Sequence, residues 1–151
     1  MDDITLEVSD ADRGLRDRLN TEIIAFNEAA TGYTDGALLC ITARETDAEL
    51  RGGLYGWTWG GCGYIDLLWV REDQRRSGLG RQLLAAAEQE IRDRGCDQVA
   101  LSTHSFQAPD FYAHYGYREC GRIPAYPRGH DQIQLVKHLS HDQIQLVKHL
   151  S

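Results

Sequence analysis

A chain of 151 residues, 42% of them apolar and 26% charged, has the size and balance of one globular domain able to close a core over a small-molecule site. Its formal net charge of -7 excludes the basic face on which general nucleic-acid binding rests, and no apolar run approaches the roughly 20 residues that span a bilayer. The acidic start Met1-Asp2-Asp3 does not read as a signal peptide, so the expected location is cytoplasmic.

Ile4, Leu6 and Val8 alternate with polar neighbours as a half-buried strand does, and Ser9-Asp10 then offers an N-cap for a helix running toward Ala30. Thr31-Gly32 breaks that helix. Residues 37–43 (ALLCITA) read as a buried strand, followed by a polar turn over 45–49 and a hairpin with the next strand. That next strand, Leu50–Trp59, carries interspersed glycines, the look of a strand whose backbone is approached closely or bulged. Residues 64–70 (YIDLLWV) are nearly all apolar or aromatic, which predicts a central strand covered on both faces, with Asp66 its one charge. Leu79, Leu83, Leu84, Ala87 and Ile91 recur at helical spacing until Arg94-Gly95 stops them. Val99 and Leu101 start a further strand, residues 109–115 form a short aromatic helix, and residues 117–123 form another strand before the turn around Pro124 and Pro127.

Cys40, Cys62, Cys96 and Cys120 are far apart and lack the close Cys-x-x-Cys spacing of metal or redox sites. They are expected to be reduced and mostly buried, and no metal is implied. At the C-terminus, residues 130–140 (HDQIQLVKHLS) recur identically as 141–151. Each copy has strand character, so one completes the sheet and the other is spare. The expected organisation is a single domain over 1–140 followed by the duplicated segment 141–151. A spare strand identical to a native one invites exchange between subunits and hence a homodimer; the other reading is a duplication accident that merely extends the end.

Arg75, Arg76, Ser77, Gly78, Leu79, Gly80 and Arg81 lie between the strongest strand and the clearest helix. A helix start leaves unpaired N–H groups and a positive dipole end, and glycine at 78 and 80 lets those amides approach a diphosphate with no Cβ in the way. Arg71, Arg75, Arg76 and Arg81 can add charge-assisted bonds. The dinucleotide fingerprint would need a third glycine near Gln82 or Leu83, and the phosphate-loop motif would need Gly-Lys-Ser/Thr, so neither fits.

The segment resembles the Arg/Gln-x-x-Gly-x-Gly/Ala pattern of the GNAT superfamily of N-acetyltransferases, met by Arg75, Gly78 and Gly80. A second signature of the same family, Asn-x-x-Ala with a tyrosine four residues on and then Gly-Phe, resembles Ser105, Ala108, Tyr112 and Gly116-Tyr117 (SFQAPDFYAHYGY). Ser105 departs from the usual Asn and Tyr117 from the usual Phe. The resemblance covers roughly residues 50–139. It implies an α/β fold: a mixed, mostly antiparallel, twisted sheet of six to seven strands, splayed at its central strands and flanked by about four helices. It also implies acetyl-CoA as cosubstrate, bound through Leu68, Trp69, Val70, the 75–81 loop, Ser105 and Tyr112.

The implied reaction is direct transfer in a ternary complex, without an acyl-enzyme. An alkylamine near pKa 10 must lose a proton before it attacks, the oxyanion needs a donor and the departing thiolate needs an acid. By the resemblance, the backbone N–H of Leu68 serves the oxyanion, Val70 pairs with the pantetheine arm and Tyr112 is the acid. Asp66, two residues before Leu68 and so expected on the same face, is the candidate base or amine-orienting group. Glu28, Tyr33, Tyr64 and His104 are candidates for the acceptor pocket. The expected acceptor is a small-molecule amine; a protein or peptide amine, and a non-catalytic coenzyme A-binding domain, are the competing readings.

Overall fold

The computed structural model describes residues 3–46 and 49–139. The chain divides into one unit ending at Thr34 and a second beginning at Asp35. The first carries helix α1, Arg13–Thr31. Its N-cap is Asp12, whose carboxylate accepts from the Leu15 amide at 3.1 Å, and it ends at Gly32 in the left-handed region at φ 77. The cap expected at Ser9-Asp10 therefore falls two residues later, where a side chain can reach the third amide of the helix. Ile4, Leu6 and Val8 form no strand. Alternation alone does not make one, because a strand needs a neighbour to take its amides and carbonyls.

The second unit holds six strands: β1 (Ala37–Arg44), β2 (Leu50–Trp59), β3 (Cys62–Val70), β4 (Gln98–His104), β5 (Arg118–Pro124) and β6 (Asp131–His138). They form one sheet in the order β1-β2-β3-β4-β6-β5, parallel at β3/β4 and antiparallel elsewhere. Helix α2 (Leu79–Asp93) is the crossover between the parallel strands, and α3 (Pro109–His114) follows β4. Among the described residues there are three α-helices and one 3-10 turn, Glu72–Gln74. That is fewer than the four expected, since only Gly32 to Gly36 separate α1 from β1 and leave no room for another helix. None of these helices is long and apolar enough to cross a membrane.

The core lies on one face of the sheet. Leu83, Leu84, Ala87 and Ile91 of α2, spaced to share one side of the helix, are buried together with Leu39, Leu54, Ile65, Val99 and Leu101. The four cysteines are free, but Cys40 and Cys120 are exposed, against the expectation of mostly buried thiols. Cys40 sits on the face of β1 opposite the buried Leu39, and only Cys96 is fully buried. The first copy of the C-terminal repeat supplies β6, an interior strand between β4 and β5. The second copy, residues 141–151, and with it the strand-exchange reading, lies outside the described residues.

Two irregularities shape the middle of the sheet. Tyr55 pairs with Leu67 while Gly56 pairs with Ile65, so Asp66 is the extra residue of a β-bulge. Gly56 makes it possible: a Cβ there would lie 2.1 Å from the Tyr64 carbonyl oxygen. Beyond the bulge β3 leaves β4. The parallel ladder joins only residues 62–65 to 98–101, while β4 goes on pairing with β6 as far as His104. The expectation that residues 64–70 are covered on both faces therefore holds only to Ile65, and Leu67 and Trp69 are 64% and 48% exposed. Among the described residues, that half of the strand keeps β2 as its neighbour and has no strand paired on its other edge.

Candidate active site

The gap opened by this divergence is a cleft of about 720 Å³. Residues 65–70 of β3 form one wall, Leu101, Ser102 and Thr103 of β4 the other, and Arg75, Phe106, Gln107, Ala108 and Tyr112 close its ends. The hydrogen-bond phase of the β2/β3 ladder sets what β3 offers to it. The Arg71 amide donates to the Arg51 carbonyl at 2.7 Å, which makes that pair a hydrogen-bonded one. In an antiparallel ladder such pairs alternate, so Trp69 also turns its main-chain groups toward β2, and Leu68 and Val70 turn theirs away. Away from β2 is the gap. The Val70 carbonyl bears this out, since it accepts from Arg75 Nε at 3.2 Å rather than from β2.

The loop after β3 leads straight to α2. Gly78, at φ 89, is the N-cap, and the first helical bond runs from Gln82 to the Gly78 carbonyl at 3.0 Å. The amides of Leu79, Gly80 and Arg81 precede that bond, so they have no carbonyl four residues back and point out of the helix start. A Cβ on Gly78 would meet nothing within 4 Å, so what requires glycine there is the backbone angle. Gly80 is in contact range of Phe111 and Val70, 3.6 and 3.8 Å from where its Cβ would sit, which seats the helix start on α3 and on the end of β3. Arg76 also occupies the left-handed region, at φ 71, a conformation that costs roughly 1 kcal/mol or more in a non-glycine residue and is often found at ligand clamps. Ser77 bonds back to the Gln74 carbonyl and tightens the turn.

Of the arginines, Arg71 is spoken for. It donates to Asp73 at 2.6 and 2.9 Å and to Glu45 at 3.0 Å, and Glu45 is held below the usual carboxylate range by Arg51 and then by Arg71 itself. It ties the β1–β2 turn to the loop instead of adding a charge to a ligand. Arg75, Arg76 and Arg81 are exposed around the helix start.

Tyr112 of α3 also lines the cleft, buried to 9% exposure, and desolvation raises its phenol above the ordinary tyrosine range. Its ring is clamped edge-on by Phe111 and Tyr117, with centroids 5.2 and 5.7 Å away. Asp66 borders the same cleft and, among the described residues, has no hydrogen bond or ion pair. Its place in the bulge breaks the alternation that would have put it on the face of Leu68. Ser105 does not line the cleft: its hydroxyl accepts from the Asp131 amide at 3.0 Å and its own amide donates to the Asp131 carbonyl at 2.8 Å. Tyr64 and His104 lie on the sheet face away from α2, where Tyr64 reaches Ser102 at 3.4 Å, whereas Glu28 and Tyr33 belong to the N-terminal unit.

Sequence reasoning overlooked Gln107 and Phe106. Gln107 accepts from the His104 amide at 2.8 Å and from the Thr103 hydroxyl at 3.2 Å, so its side chain finishes β4 where β3 no longer can. A polar residue three places past a strand end carries no recognisable pattern. Phe106 had a usable signal: an aromatic ring between a strand and Pro109 has no core to enter.

The sheet thus splays between β3 and β4, and the loop that closes the resulting cleft at Arg75 runs into a glycine-led helix start. The sequence profile described as "Acetyltransferase (GNAT) family" matches residues 7–117, and the chain belongs to that family. It is an acetyltransferase. The blasticidin-S acetyltransferase of Streptomyces morookaense is 45% identical over 95 residues, which cover 60% of this chain and 68% of that one. An acetyltransferase of Agrobacterium fabrum is 36% identical over 129 residues, 85% of this chain and 91% of its own. Among solved structures, an acetyltransferase of Bacillus cereus has a TM-score of 0.75 at 29% identity and covers 89% of this chain and 98% of that chain.

Proposed function

We propose that the protein transfers the acetyl group of acetyl-CoA to a primary amine of a small molecule, by direct attack in a ternary complex. The observation that carries this reading is a cleft lined together by Leu68, Val70, Arg75 and Tyr112, with the main chain of Leu68 and Val70 turned away from β2. From Arg75 the chain runs directly into the helix start, where the amides of residues 79–81 lack a helical partner. A diphosphate suits the helix start and an amide-bearing arm suits an unpaired strand edge, so a long ligand with both fits. The amine end of the acceptor is the natural counterpart of Asp66, an unpartnered carboxylate on the cleft. The relative named for blasticidin-S supports a small, amine-bearing acceptor of the antibiotic kind.

Each residue then has a defined task. Asp66 orients the amine and takes up, directly or through water, the proton it sheds. The Leu68 N–H donates to the thioester oxygen as charge builds on it, while the new C–N bond forms and the C–S bond breaks. Tyr112, kept neutral by burial, hands its phenolic proton to the departing sulfur.

The test begins with calorimetry. Acetyl-CoA should bind the native chain, and Gly78→Asp, which sets a side chain and a negative charge at the diphosphate position, should remove binding. Equal affinity in the two proteins overturns the loop's role. A panel of amines assayed for thiol release from acetyl-CoA then identifies the acceptor.

A further inference from the structure

Four aromatic rings meet in one cluster, one of which, Phe106, lines the cleft, and nothing in the acetyl-transfer chemistry has used them. His104 stacks on Phe106 with centroids 5.4 Å apart and planes 16° apart. Tyr126 meets His104 edge-on at 5.6 Å, and His130 meets Phe106 edge-on at 4.9 Å. They come from two separate turns, the one after β4 and the one between β5 and β6.

Those turns are bolted together by hydrogen bonds to main-chain atoms. Ser105 and Asp131 exchange two of them, as described above. His104 Nδ1 lies 3.0 Å from the Tyr126 carbonyl oxygen. Within the second turn, the Tyr126 amide donates to the His130 carbonyl at 3.0 Å and the Ala125 amide to the Asp131 carboxylate at 3.3 Å. The other carboxylate oxygen of Asp131 is held by Arg122 at 2.6 Å. The rings are thus fixed before any ligand arrives, although Phe106 and Tyr126 remain 55% and 53% exposed. A rigid cluster of half-exposed rings is what a preorganised recognition platform looks like, because flat rings offer contact area at small entropic cost.

Phe106 belongs both to this cluster and to the cleft wall. His104 stacks on its ring and His130 meets it edge-on, and Phe106 and Asp66 line the same cleft. On the β3 side, Leu67 and Trp69 add further exposed apolar surface to the same cleft. We infer that the ring cluster His104, Phe106, Tyr126 and His130 is the specificity-determining part of the acceptor site, and that it selects an amine carried on a flat, unsaturated ring over one carried on a saturated skeleton. The inference rests on the acetyl-transfer reading and deepens it. The amine nitrogen lies toward Asp66 and the ring lies against Phe106, and preference for a planar ring follows from stacking, which a puckered ring cannot match.

The experiment compares 2-phenylethylamine with 2-cyclohexylethylamine, which share a side arm and differ in ring planarity. Each is titrated calorimetrically into the coenzyme A-loaded native protein and into Phe106→Leu. The phenyl compound should bind the native protein about tenfold tighter. In Phe106→Leu the two should come within about twofold of each other, with an unchanged melting temperature, which shows that the exposed substitution leaves the fold intact. Equal affinities in the native protein, a preference that survives in Phe106→Leu, or no binding of either amine to the loaded protein overturns the ring-selective site. Failure of coenzyme A itself to bind overturns the acetyl-transfer reading, and this inference with it.

Discussion

Tyr112 and Asp66 differ in how the protein holds them, and the difference predicts how each responds to change. Burial raises the Tyr112 phenol above its usual value near 10, so the group stays protonated, and able to donate, throughout the neutral and mildly alkaline range. Activity that depends on the neutral phenol is therefore retained as pH rises and falls only above about 10. Tyr112→Phe should lower kcat by roughly 100-fold, leave acetyl-CoA affinity near the native value and erase that alkaline limb from the kcat profile. Equal turnover would take the tyrosine out of the reaction. Asp66 is exposed and unpartnered among the described residues, so removing its charge strains nothing in the fold. For Asp66→Asn we expect kcat/KM for the amine to drop about tenfold, in the range of one lost charge-assisted hydrogen bond, with unchanged melting temperature. An unaltered kcat/KM would reduce Asp66 to a bystander.

The β2–β3 ladder is the element on which the cleft depends. Its bulge brings the Tyr64 carbonyl so near Gly56 that no Cβ fits between them. Gly56→Ala must push the two strands apart, and overpacking of this kind typically costs about 1–3 kcal/mol. Urea unfolding should show a loss of that size, together with weaker acetyl-CoA binding as the outward turn of Leu68 and Val70 is disturbed. A substitution that leaves both unchanged would mean that the strands relax without loss. The helix start is built differently: Gly78 meets open space and is demanded by its backbone angle alone, so substitutions there should disturb binding more than folding.

Across the molecule, α2, β6 and the residue that precedes β5 are joined by a buried polar cluster beside Tyr112. Glu88 of α2 is buried and accepts from the Tyr117 hydroxyl at 2.9 Å and from Lys137 Nζ at 2.7 Å. Tyr117 packs edge-on against Tyr112, so the cluster links α2 to Tyr112 through one ring. Burial, and then the neighbouring Glu88 carboxylate, push the Tyr117 phenol far up, which keeps it a donor. Removing Lys137 leaves buried Glu88 with the Tyr117 hydroxyl and the more distant Arg92 guanidinium, 3.9 Å away, so Lys137→Met should destabilise the fold by about 1–3 kcal/mol. Combining it with Glu88→Leu should recover much of that loss, as measured by urea unfolding. A single variant as stable as the native chain would show that the Tyr117 hydroxyl and Arg92 together satisfy Glu88.

Elements governed by local chemistry were legible from the residues. The helical spacing of Leu83, Leu84, Ala87 and Ile91, the glycines at 78 and 80, and the apolar run of β3 appear where expected, because capping, dihedral freedom and periodicity act within a few residues. The half-exposure of β3 was hidden, since coverage belongs to the neighbour that leaves and not to the strand. Asp66 was assigned a face by alternation, but an extra residue in a ladder is defined only by its partner strand. Ile4, Leu6 and Val8 failed as a strand for the same reason.

The residues alone therefore carried the order of elements from α1 onward, the glycine-led helix start and the membership of Tyr112 in a short aromatic helix. Folding in three dimensions settled the rest. Where β4 abandons β3, which main-chain groups of β3 then face the gap, how Ser105 is spent on Asp131 and how two distant turns stack four rings all depend on pairing between segments far apart in sequence. Such pairings are selected by register and packing among many partners at once, and no short stretch of chain encodes them on its own.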